Sequence, residues 1–197
     1  MKKRVFNLIL LLLILTTARI AFADDPVSEE IPEDTSGWIN CKGPRISISY
    51  PQDINLRRLE DRLRSRWFTV SAAEKDLYAN PAYPIEKRIL ARLESILLRV
   101  EEILAMHSPY TEIKIKVFRN RDELCKEYTS LFGSAENYKS FYIHSMGTIF
   151  TSMQDVSDSE MSHEMAHATI DTYFRVIPPD KTAELLATYV DSHLERE

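Results

Sequence analysis

The stretch Ser157-Asp158-Ser159-Glu160-Met161-Ser162-His163-Glu164-Met165-Ala166-His167-Ala168-Thr169-Ile170-Asp171 decides how this chain of 197 residues folds and what chemistry it carries. Ser157 or Asp158 suits a helix N-cap, because either side chain can accept a hydrogen bond from a backbone N–H of the first turn. The helix so opened runs to about Arg175, and Pro178 and Pro179 break it. Four residues apart on one helix, His163 and His167 share a face, so both imidazoles can converge on a single cation. Zinc suits such ligands. Glu164 lies beside the first histidine, where it can reach a water held at the metal rather than the metal itself.

A catalytic zinc takes three protein ligands and leaves the fourth position to water, so two histidines are not enough. The next helix starts near Asp180 and carries Ala183, Leu186, Ala187 and Val190, with Glu184 on its first turn. The Pro-Pro turn folds this helix back across the first. The neighbours of Glu184 are apolar, so its carboxylate is expected to face the interior, where a charge needs a cation or hydrogen bonds. Asp180 and Asp191 are alternatives for the same place. The plain structural reading is a solvent-facing Glu184 near a helix N-terminus.

The run Ser162-His163-Glu164-Met165-Ala166-His167, followed by Ala183-Glu184-Leu185-Leu186-Ala187-Thr188-Tyr189, resembles the gluzincin clan of metallopeptidases. That clan's pattern is His-Glu-x-x-His with a later Glu-x-x-Ala on the following helix. The likeness is nearest to small peptidase-MA-like, or minigluzincin, domains and covers roughly residues 84 to 197. It implies a zincin-like fold, a Zn2+ ion held by His163, His167 and Glu184, and Glu164 as general base in the hydrolysis of peptide bonds. The sequence ends at Glu197, soon after Glu184, so no lower subdomain is expected to place a Tyr or His beside the oxyanion.

Supporting roles follow from position. Asp171, one turn beyond His167, can orient that ring by accepting its other N–H. Tyr189, His193, His144 and Tyr142 are the candidates to stabilise the developing oxyanion; Tyr142 and His144 share a strand face opposite Phe141 and Ile143. A substrate strand is expected to add antiparallel near Gly147 to Thr151. The expected activity is that of an endopeptidase on peptide or protein substrates, held latent by an acidic arm or by the short tail. The rival class is a non-enzymatic exported binding protein with a structural or vestigial site.

Outward from the motif, the two ends set the context. Lys2, Lys3 and Arg4 precede an apolar run from Val5 to Leu15, and Ala21-Phe22-Ala23 precedes Asp24, the order of a secretory signal peptide over residues 1–23. The run is short for a bilayer crossing, so no stable membrane anchor is expected after its removal, and the destination is the periplasm or the medium. Without the four basic residues of that segment the formal charge of -5 becomes -9. Such acidity argues against nucleic acid and anionic membranes as partners, which bind through Lys and Arg clusters. Residues 24–45 are rich in Asp, Glu, Pro, Ser and Gly and read as a flexible acidic arm.

The remainder, 46–197, reads as a single α+β domain with a mixed sheet and an edge strand, a helical part over 46–110 and a catalytic part over 111–197. Ile46, Ile48 and Tyr50 alternate as a strand; Asp53 caps a helix through Leu56, Leu59, Leu63 and Trp67. A long amphipathic helix carries Ile89, Leu93, Ile96, Leu97, Val100 and Leu104 in one stripe. Ile113, Ile115 and Val117 make a strand, Asn120 and Asp122 open a helix to Gly133, and two strands flank Ser145-Met146-Gly147. Cys41 and Cys125 can form a disulfide in an oxidising compartment, or stay as two thiols.

Overall fold

Ile46, Ile48 and Tyr50 alternate with serines, and Ile113, Ile115 and Val117 with lysines, so each run presents one apolar row to a helix layer. In the computed structural model, which describes residues 37–63, 82–108 and 112–194, these runs are strands β2 (Ile46–Pro51) and β3 (Ile113–Phe118). With β1 (Trp38–Lys42), β4 (Ser140–Ile143) and β5 (Thr148–Ser152) they form one sheet in the order β1-β2-β3-β5-β4. The inner strands β2, β3 and β5 are parallel, and β1 and β4 run antiparallel along the two edges.

Five helices accompany the sheet among the described residues: α1 (Leu56–Arg62), α2 (Ile85–Leu104), α3 (Arg121–Phe132), α4 (Asp158–Tyr173) and α5 (Asp180–His193). The stripe of α2 buries Ile89, Leu93, Ile96, Leu97 and Val100 against the isoleucines of the inner strands and against Met161 and Met165 of α4. A smaller aromatic core of Phe118, Phe141 and Phe150, with Leu124 of α3, fills the opposite face of the sheet. Fully burying each such apolar side chain contributes about 1.5–3 kcal/mol, so these two layers carry most of the folding drive. The architecture is α+β with a five-stranded mixed sheet. The parts 46–110 and 111–197 meet inside it, since β2 pairs directly with β3.

Three expectations change. The arm expected over 24–45 contains strand β1, whose partner β2 supplies the backbone bonds that its weakly alternating sequence could not announce. Asn55, not Asp53, caps α1, its side chain accepting from the Arg58 N–H at 3.1 Å, while Asp53 accepts from Arg119 at 2.9 Å. Cys41 and Cys125 are both free thiols. Cys41 packs on the core beneath α2, whereas Cys125 sits on α3 across the sheet beside Asn137, so the sheet itself keeps them apart. Residues 1–36, which include the expected signal segment, and Trp67 lie outside the described residues. No described helix is long and apolar enough to cross a membrane.

Candidate metal centre

Helix α4 starts where the Ser157 side chain accepts the Glu160 backbone N–H at 3.2 Å, which settles the cap on Ser157. Asp158 is already helical and binds Arg92 of α2 in a buried ion pair at 2.8 Å. Met161, Met165 and Ala168 recur at helical spacing and face the main core. That choice of face turns His163 and His167 toward α5.

On α5 the residues Glu184, Ala187 and Asp191, spaced three and four apart, form the stripe that meets α4. Ala187 is fully buried, and its small side chain lets the two helices approach. His163 is then held by α5 at both ring nitrogens. Its Nδ1–H donates to Asp191 Oδ2 at 2.9 Å, and its Nε2 lies 3.7 Å from Glu184 Oε2. His167 Nε2 lies 3.4 Å from Glu184 Oε1 and 3.3 Å from His163 Nε2. A neutral His163 that donates from Nδ1 to Asp191 has its lone pair at Nε2.

Three ligand atoms of a tetrahedral zinc at 2.0–2.2 Å stand roughly 3.3–3.6 Å from one another. His163 Nε2 and His167 Nε2 stand 3.3 Å apart and His167 Nε2 lies 3.4 Å from Glu184 Oε1, both within that range, while the 3.7 Å contact of His163 runs to the other carboxylate oxygen, Oε2; one donor atom from each of the three residues lies within 4.8 Å of the others. Two imidazole nitrogens and a carboxylate are also the donor types that suit zinc. Asp191 raises the His163 pKa by accepting its proton, while burial lowers that of His167. Glu164 is 6 % exposed, and burial pushes its carboxyl up to about 7.

The surroundings correct several expectations. Glu184 does not face an apolar interior: its side chain is 61 % exposed, because α5 buries Ala187 and Val190 and leaves Glu184 at the rim of the α4 groove. Asp191 hydrogen-bonds the His163 ring instead of joining the candidate cluster. Asp171 does not orient His167. It accepts from the Tyr142 hydroxyl at 2.8 Å and lies against His144 Nδ1, since β4 passes directly over that turn of α4. Burial and the Asp171 carboxylate together push the Tyr142 phenol far above its ordinary pKa. Tyr189 and His193 stack on each other on the outer side of α5, centroids 3.9 Å apart, away from the triad. Strand β5 has partners on both sides, so the edge open to an added strand is β4, not Gly147 to Thr151.

A cavity of about 720 Å³ unites the triad, Glu164, Asp171 and His144. Two of its features escape a reading of the sequence. Tyr128, Phe132, Tyr138 and Phe141 wall one end, gathered from α3, the following loop and β4. Ser140 hydrogen-bonds Glu164; as the strand neighbour two before Tyr142 it shares that residue's face, the signal that could have found it. Comparison with the models of known families, with curated proteins and with solved structures yields no match.

Proposed function

We propose that this protein is an exported, zinc-dependent endopeptidase with a zincin-like fold, and the single observation that carries the reading is the convergence of His163, His167 and Glu184, one donor atom from each within 4.8 Å of the others, with Glu164 beside them. When bound, zinc lowers the pKa of a water and polarises the scissile carbonyl. Glu164 accepts a proton from the attacking water and returns it to the leaving amine, a task served by a carboxyl whose pKa lies near neutrality. Asp191 keeps the proton of His163 on Nδ1, so that Nε2 stays a ligand. His144, held by Asp171 at the cavity wall, is the residue that can face a developing oxyanion.

A substrate chain lies along the free edge of β4, where unpaired backbone groups accept a strand. The zinc-loaded full chain is expected to cleave an unfolded protein such as reduced, carboxymethylated casein, and Glu164→Gln to lose at least 100-fold in kcat while keeping the metal. Equal hydrolysis by both proteins rejects the reading. Export through residues 1–23 is tested by the N-terminus of the mature protein, expected at or near Asp24.

A further inference from the structure

We infer that Ser140, the first residue of β4, is the positioning residue of the general base, fixing one oxygen of Glu164 so that the other is left for the attacking water. The inference rests on the peptidase reading above and adds a part to it. Ser140 Oγ lies 2.8 Å from Glu164 Oε1 and 2.9 Å from Glu160 Oε2. A hydroxyl has one proton to give, so it serves one of these carboxylates at a time. Glu160 has another partner, because the Lys139 ammonium stands 3.7 Å from its Oε1. Among the described residues Ser140 is the hydrogen-bond partner of the Glu164 side chain, and its proton belongs there.

The backbone makes this donor rigid. Ser140 is 7 % exposed and pairs across the ladder with Thr151 of β5, which is flanked by β3 in turn. Two residues on, Tyr142 fastens the same strand to Asp171, so β4 clasps α4 on both sides of the histidine pair. Glu164 itself has three rotatable bonds and loses rotamer freedom when held in one place. A fixed donor selects that place before substrate arrives, and displacement of a reacting group by about 1 Å can cost on the order of 100-fold in rate.

The test compares zinc-loaded full chains of wild type, Ser140→Ala and Ser140→Thr. Ser140→Ala is expected to lower kcat on unfolded casein by about 10- to 100-fold. KM and zinc affinity, the latter by chelator competition, are expected to stay within about threefold, and Ser140→Thr, which keeps the hydroxyl, to recover most of the rate. A wild-type kcat in Ser140→Ala, a loss confined to KM, or a Thr variant that melts like wild type yet turns over like Ala overturns the inference. Crystals of the zinc-loaded proteins give a readout independent of turnover: in Ser140→Ala the Glu164 carboxylate should leave its present rotamer, and an unchanged rotamer also overturns it. Should wild type and Glu164→Gln hydrolyse casein equally, the peptidase reading falls while the rotamer comparison still decides the role of Ser140.

Discussion

His163 carries the densest set of constraints on any single side chain of the site, with a carboxylate at each ring nitrogen and both supplied by α5. Removing the orienting partner while keeping its shape is expected to cost 10- to 100-fold in zinc affinity, so Asp191→Asn should be measurably weaker than wild type in competition with a chelator. Glu164 gives a second prediction at this scale. Its carboxyl ionises near its ordinary 4.5 when unfolded and near 7 when folded, so it favours folding while protonated. That contribution is whole below about pH 4.5 and is lost as pH rises through 7. Metal-free Glu164→Gln, which cannot ionise, should therefore gain on metal-free wild type between pH 4.5 and 7.5 by on the order of 2–3 kcal/mol in denaturant melts. A difference that stays constant with pH refutes it. What depends on one helix was legible from spacing, as His163 and His167 four apart on one face show; the Pro-Pro turn indicated that Glu184 lies on the next helix, but not that it stands exposed at the rim. The partners of Asp171 were not legible, because they depend on where β4 crosses α4.

At the scale of elements, the helices announced themselves and the strand order did not. The stripe of α2, the Ser157 cap of α4 and the prolines before α5 are local signals, each with its own physical cause. β1 has no comparable signal: Trp38 and Cys41 are partly buried while Ile39, Asn40 and Lys42 are exposed, which is no two-residue alternation, and it is a strand because β2 lies beside it. For the same reason periodicity could identify β4 and β5 as strands without showing which forms the edge. The start of α4 is tied to α2 by the Arg92–Asp158 pair, and Arg92 Nε also donates to the Leu63 carbonyl at 2.6 Å. Arg92→Met leaves a buried carboxylate without its cation and is expected to destabilise the fold by about 3 kcal/mol or more, seen as a lowered denaturation midpoint. A loss below 1 kcal/mol would mean that α4 is held in place by its apolar face alone.

For the whole molecule, the candidate cluster of His163, His167 and Glu184 bridges α4 and α5, which are also joined by the His163–Asp191 hydrogen bond, by Ala187 and Val190 and by a short exposed turn. A ligand that binds only the folded state adds stability by mass action, about 2.7 kcal/mol when free zinc is 100 times its Kd. For a domain of this size the melting temperature should rise by roughly 5–10 °C, and His163→Ala with His167→Ala should abolish the rise. Equal shifts in both proteins would place the zinc elsewhere. The sheet's open edge sets a different limit. β4 is four residues long and ends in a tight turn through His144–Met146, closed by Gly147 at a φ of 57° that side chains rarely adopt. A long flat edge would recruit one copy of the chain after another into a growing ribbon. This one is short, so under the proposed activity a guest is expected to arrive already unravelled, and a tightly folded protein to be left uncut.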